Sequence, residues 1–186
     1  MLNGAPRSGK SSIAAAMQET FDGPWMNLGV DVARATTPPG LQPGIGLRPG
    51  EPDHPAAPFM PTLYAALYES VAAHARLGLN VVVDVGHHDA DVLAGCAGRL
   101  HGLRVLFVGV RCPFETIMER RDASPPGSYA TVPEPVRRWQ EAVHVPGVYD
   151  LEVDTSQLTP EECAAAIRRR VDDPEPPTAF VRLAAG

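Results

Sequence analysis

Two hydrophobic periods alternate along this chain. Asn80-Val-Val-Val-Asp84-Val85 and Arg104-Val-Leu-Phe-Val-Gly-Val110 are continuous apolar runs rich in β-branched residues, as in strands covered on both faces of a parallel sheet. Trp25-Met-Asn-Leu-Gly-Val30 is a shorter run of the same kind, and Tyr149-Asp-Leu-Glu-Val-Asp154 alternates apolar with acidic residues like an outer strand with one wet face. The intervening segments carry the helical period. Ile13, Met17 and Phe21 fall four apart, and Leu63, Leu67 and Val71 mark a helix from Pro61 to about Leu77 with Gly78 as its stop. Further helices are expected from about Asp89 to Leu100, from Phe114 to Arg121 and from Pro133 or Pro135 to Val143. A last one, to about Val171, is opened by the capping box of Thr159-Pro160-Glu161-Glu162. With Met1-Leu2-Asn3 counted as a first strand, this gives five short strands separated by helices. The expected fold is α/β, a three-layer sandwich around a five-stranded parallel sheet.

Punctuation divides the chain further. Thr36 to Pro61 is dense in Pro and Gly, and no helix or strand is expected to run through it. A loop of that length in a compact domain is more often functional than a passive connection, so 36–61 is read as a substrate-side loop. Residues 114–143, broken by Ser124-Pro-Pro-Gly127, are read as a lid region, and 172–186 as a loosely held tail. A length of 186 residues suits one domain, over 1–171.

Charge narrows the partners. A net charge of −6 without a concentrated basic stretch argues against nucleic acid or an anionic membrane and in favour of a small molecule. Cys96, Cys112 and Cys163 are widely spaced without a C-x-x-C pair, the usage of reduced cysteines in a cytoplasmic protein. No apolar run reaches the length that spans a bilayer. Monomer and homo-oligomer both remain open.

The chemistry is concentrated near the start. Gly4-Ala5-Pro6-Arg7-Ser8-Gly9-Lys10-Ser11 has the form G-x-x-x-x-G-K-S and runs through Ser12 into the first helix. In such a phosphate-binding loop the backbone amides curl around a polyphosphate, the lysine reaches the β- and γ-phosphates, and the serine hydroxyl binds Mg²⁺. The helix behind it turns its positive end toward the anion. ATP and Mg²⁺ are therefore the expected cofactors. Only Met1-Leu2-Asn3 precede the loop where a buried strand of about five residues is usual. Either the first strand is a stub or the natural chain starts upstream.

Ligands of open parallel sheets gather at the carboxyl ends of the strands, which places Lys10, Asp31 and Asp84 around one cleft. Asp84 ends an apolar strand and is the candidate Mg²⁺ carboxylate with Ser11; the alternative is a helix cap or turn residue. Asp31 also ends an apolar run and is the candidate general base, or orienting group, for an acceptor hydroxyl, against a capping role. Arg120, Arg121, Arg137 and Arg138 are the cations left to neutralise a transferring phosphoryl group, Arg120 first. His87 and His88 beside Asp89 lack a third ligand at a metal-site spacing and suit a helix entry or a substrate contact.

These residues resemble the chloramphenicol phosphotransferase family of small P-loop kinases. The likeness rests on Leu2-Asn3-Gly4 with the loop, Gly29-Val30-Asp31, the strand ending in Asp84, Val108-Gly-Val-Arg-Cys112, Val143-His144 and Tyr149-Asp-Leu-Glu-Val-Asp-Thr155. It implies an adenylate-kinase-like core, ATP with Mg²⁺, Asp31 as the carboxylate that activates the hydroxyl, and an antibiotic alcohol as acceptor. It weakens at the lid, where Arg120-Arg121-Asp122 is followed by Ala-Ser-Pro-Pro-Gly instead of the family's Arg-Gly-Asp-Arg block, so that Arg137 or Arg138 is expected to stand in. A kinase of a metabolite or a zeta-toxin-like kinase of a sugar nucleotide would share the core. From a different class, a nucleotide-binding module without catalysis would tolerate loss of Asp31.

Overall fold

A computed structural model of the chain describes residues 1–42, 47, 49, 53–123 and 133–185. Its strands are β1 (Leu2–Asn3), β2 (Trp25–Asn27), β3 (Asn80–Val82), β4 (Asp84–Val85), β5 (Val108–Arg111) and β6 (Leu151–Asp154). Its α-helices are α1 (Lys10–Thr20), α2 (Val30–Thr36), α3 (Met60–Arg76), α4 (Ala90–Arg99), α5 (Phe114–Asp122), α6 (Pro133–Ala142), α7 (Pro160–Asp172) and α8 (Ala179–Ala185). All described strand pairs are parallel.

The expected single five-stranded sheet is found as a four-stranded sheet, β4-β1-β5-β6, and a pair, β2-β3. The chain itself joins them, because β3 and β4 are consecutive pieces of the apolar run 80–85, broken at Val83. The break follows from the length of β1. β3 pairs with β2 on one edge, while β1 offers only Leu2 and Asn3, and these pair with Asp84 and Val85. The expected strand from Arg104 shortens for the same reason, since pairing with β1 begins at Val108.

Helices cover both faces, as the buried runs require. Ile13, Met17, Val108, Val110, Cys163 and Ile167 are buried together on the side of α1 and α7. Tyr68, Val71, Val85, Leu93, Phe107 and Phe180 are buried on the side of α3, α4 and α8. A smaller cluster of Ala5, Cys112, Ile117, Val136, Trp139 and Val143 seats α5 and α6 beside the phosphate loop.

The segment after Val171, expected to be loose, is instead docked. Asp150 receives the Thr178 and Ala179 amides on Oδ1 at 2.7 and 2.9 Å and the Phe107 amide on Oδ2 at 2.9 Å. Its carboxylate thereby caps the start of α8, and the Phe180 ring packs edge-on to Phe107 with centroids 5.0 Å apart. A cavity of about 300 Å³ lies at the amino-terminal end of the sheet, lined by Met1, Trp25, Val81, Leu106, Ile167 and Val171 among others. It is at the opposite end from the phosphate loop. The buried Met1 amino group donates to the Leu106 carbonyl there at 2.7 Å, and burial pulls its pKa down to about 5.

Candidate active site

The phosphate loop bridges β1 and α1. Gly9 takes φ 93° at the start of α1, a conformation that favours glycine, and Arg7 takes φ 72°. Gly4 is required by space, because a Cβ there would lie 2.5 Å from the Val110 carbonyl oxygen and 2.8 Å from Ser8 Oγ. The first α1 amide with a helical acceptor is that of Ile13, bonded to Gly9 O at 3.0 Å. No acidic residue or side-chain cap occupies the helix start, so its amides and dipole favour an anion.

Lys10 extends back into the loop, donating to the Gly4 and Ala5 carbonyls at 2.9 and 2.8 Å. Burial lowers its pKa to about 8, opposed by the negative charges of Asp84 and Asp31. Both carboxylates thus lie within electrostatic reach of the ammonium. Asp84, buried at 6% exposure on β4, accepts a hydrogen bond from Ser11 Oγ on Oδ2 at 2.7 Å. The capping role considered for Asp84 is filled by Asp89, whose Oδ1 accepts the Asp91 and Val92 amides at 3.0 Å each.

Asp31 sits differently from the expectation of a strand end. The strand stops at Asn27, and Gly29 directly precedes α2, which carries Asp31 in its first turn, where a carboxylate suits the helix dipole. Its side chain is 68% exposed and lies 3.4 Å from Arg34.

The arginines divide. Arg120 lies alongside the loop, with Nη1 donating to Thr155 Oγ1 at 3.0 Å and to Arg7 O at 3.3 Å, and Nη2 donating to Thr155 O at 2.8 Å. Thr155 Oγ1 in turn donates to Ser8 O at 2.8 Å. Arg120 and Thr155 therefore brace the loop's backbone. Arg121 is buried at the end of α5. Arg138 is half-exposed and 3.9 Å from Glu134 on its own helix, and Arg137 lies over the Phe114 ring at 4.2 Å. The lid segment 124–132 and residues 43–46, 48 and 50–52 of the substrate-side loop lie outside the described residues.

Behind the loop is a polar hub whose role was not anticipated. Buried Asn3 donates from Nδ2 to Val143 O at 2.8 Å and to Tyr149 Oη at 2.9 Å, and accepts the His87 amide on Oδ1 at 2.9 Å. His87 is buried, 2.7 Å from Tyr68 Oη and stacked on Tyr64, and burial lowers its pKa to about 3. It is therefore uncharged at neutral pH. His88 meets Leu47 O at 3.0 Å and the edge of Trp139. Thr155 and Gly29, named in the sequence only within the blocks of the family resemblance, also lie against these groups, Thr155 on Ser8 O and Gly29 on Asp84. Thr155 directly follows β6 at the carboxyl edge of the sheet, a placement that could have flagged it.

The donor set fits Mg²⁺ and a polyphosphate. A hydroxyl and a carboxylate, both hard oxygen ligands, lie side by side, and a sheltered ammonium meets backbone carbonyls in the adjoining loop. The other carboxylate oxygen, Asp84 Oδ1, fills the space that a Cβ on Gly29 would take.

Residues 1–172 match the family described as chloramphenicol phosphotransferase-like protein. A Mycobacterium tuberculosis (strain H37Rv) protein, provisionally named an O-phosphotransferase, is 27% identical over 98% of this chain and 86% of its own length. Among solved structures, a tunicamycin resistance protein of Deinococcus radiodurans aligns with TM-score 0.58 at 19% identity, covering 92% of this chain and 93% of its own. A sugar kinase from Janibacter aligns with TM-score 0.65 at 18% identity, over 92% of each chain. Shikimate kinase from Acinetobacter baumannii, in complex with shikimate, gives 0.63 at 15% identity, over 91% of this chain and 90% of its own. At these identities the structural likenesses establish a P-loop kinase fold.

Proposed function

The chain belongs to the chloramphenicol phosphotransferase-like family, and from that membership we propose that it is an ATP-dependent kinase acting on a hydroxyl of a small molecule, with an antibiotic such as chloramphenicol as acceptor. The observation that carries this reading is the 2.7 Å hydrogen bond from Ser11 Oγ to Asp84 Oδ2 beside the phosphate loop. A loop serine and a strand-end aspartate are the groups that hold Mg²⁺ in P-loop enzymes.

Mg-ATP, when bound, supplies the transferable phosphoryl group and partial neutralisation of its charge. The chain's own groups position and stabilise. The amides at the start of α1 and the Lys10 ammonium bind the phosphate oxygens, and they act strongly because Lys10 is shielded from water. Arg120 and Thr155 hold the Arg7 and Ser8 carbonyls so that the loop keeps its curvature. Asp31, on the first turn of α2, receives the proton of the acceptor hydroxyl. Because the transition state of phosphoryl transfer is loose, the proton leaves late and Asp31 contributes orientation as well as basicity.

The test is incubation of the protein with ATP, Mg²⁺ and hydroxylated antibiotics, with sugars and nucleotides in parallel, followed by mass spectrometry for the gain of one phosphoryl group. An antibiotic product is expected. Product from sugars or nucleotides alone would reassign the acceptor to ordinary metabolism. Asp31→Asn is expected to bind ATP as the wild type does and to lose at least about 10² in turnover, the low end of general-base effects; near-normal turnover would remove Asp31 from that role.

A further inference from the structure

We propose that Gly29 is a positioning residue for the metal carboxylate: its lack of a side chain lets Asp84 hold its carboxylate against Ser11. This rests on the reading of Ser11 and Asp84 as the Mg²⁺ pair. The backbone does not explain the glycine, because φ −72° and ψ 177° are open to any residue. Space does. A Cβ on Gly29 would lie 1.5 Å from Asp84 Oδ1, 2.8 Å from Cγ and 3.1 Å from the Asp84 carbonyl oxygen. The first of these is a covalent distance, so one of the two groups must move.

Neither has room to do so cheaply. Asp84 is buried on β4, in register with Leu2 of the strand that leads into the phosphate loop, and its Oδ2 is committed to Ser11 Oγ. Rotating the carboxylate away from an added methyl group would carry Oδ2 off the serine. Gly29 is held on its other side, with its amide donating to Asn27 Oδ1 and its carbonyl accepting the Val32 amide, both at 3.1 Å. Helix α2 starts at this point and carries Asp31 two residues further on. A methyl group added at Gly29 therefore presses directly on the Asp84 carboxylate.

The experiment titrates a fluorescent ATP analogue in excess Mg²⁺ and in EDTA, on wild type, Asp84→Asn, Gly29→Ala and Gly95→Ala. Gly95 is an exposed residue of α4 with nothing within 4 Å of an added Cβ and serves as the control. Gly29→Ala is expected to raise the Mg²⁺ concentration needed for tight binding by about 10- to 100-fold, the range for residues that orient a metal ligand. Its affinity in EDTA should stay within about twofold of wild type, a split that general loosening of the fold does not produce. Gly95→Ala should match wild type.

If Asp84→Asn keeps the full Mg²⁺ effect, the metal reading itself fails. If Asp84→Asn loses the effect and Gly29→Ala keeps it, the Gly29 inference alone is overturned. Should Gly29→Ala fail to fold, the same change is made in an Asp84→Ala background, where the obstructing carboxylate is gone. There the methyl group is expected to shift the melting temperature by no more than about 2 °C. Failure of the double variant to fold as well would show that the Asp84 contact is not the reason for the glycine.

Discussion

Lys10 gives the site a pH dependence whose sign and size follow from its burial. In the free protein its pKa is lowered to about 8 from the ordinary 10.5, chiefly by desolvation. A bound polyphosphate places negative charge on the ammonium and raises that value. Below about pH 8 the lysine is charged before and after binding, so affinity for ATP should be flat. Above it, binding must take up a proton. The apparent dissociation constant is the intrinsic one divided by the charged fraction, which falls from about nine-tenths at pH 7 to about one-tenth at pH 9. Affinity for ATP should therefore weaken about tenfold between pH 7 and pH 9. The assay is a fluorescent-nucleotide titration at fixed ionic strength, with Lys10→Met as reference. The variant should bind more weakly at pH 7 and show no slope, so that the two curves converge as pH rises. A wild-type slope equal to that of Lys10→Met would refute the assignment of the titration to this lysine.

Two stability predictions test the surroundings of the site. Phe180→Ala removes a ring that is 6% exposed and packed on Phe107, and should cost about 3 kcal/mol in urea denaturation; a loss below about 1 kcal/mol would mean that α8 is not part of the cooperative fold. Asn3→Ala deprives the buried Val143 carbonyl and His87 amide of partners, and should cost about 2–5 kcal/mol by the same measurement. An unchanged midpoint would show that these bonds do not contribute to the stability of the fold.

The parts that sequence made legible are those whose chemistry is local. Glycines at fixed spacing around Lys10 and Ser11 define a phosphate loop wherever they precede a helix, and Thr159 through Glu162 form the capping box that the order of residue types implies. Asp84 stood out as the one carboxylate in the apolar run 80–85, and the structure places it in hydrogen-bond contact with Ser11. What escaped depended on partners distant in sequence. Arg104 to Phe107 reads as strand but has no strand beside it, because β1 contributes two residues. Helix α8 was hidden behind Pro174, Pro176 and Pro177, and its cap comes from Asp150, 28 and 29 residues away from the amides it receives. The partners of Arg120 and Arg138 are set by tertiary packing: the same residue type braces the loop in one case and pairs with Glu134 in the other. Gly29 read as part of the apolar run from Trp25 to Val30, and its contact with Asp84 is set by tertiary packing.

The central proposal is that Ser11, Lys10 and Asp84 form a magnesium-dependent site for phosphoryl transfer to a hydroxyl. The direct measurement is transfer of label from γ-labelled ATP to an acceptor alcohol, with wild type, Lys10→Met and Asp84→Asn compared at saturating Mg²⁺ after each is shown to be folded. Label should appear in the acceptor with wild type and fall by at least about 10² in both variants, as when a charge-stabilising group is removed from a preorganised site. Equal transfer by wild type and Asp84→Asn, or binding of ATP by wild type without label reaching any hydroxyl acceptor, would contradict it.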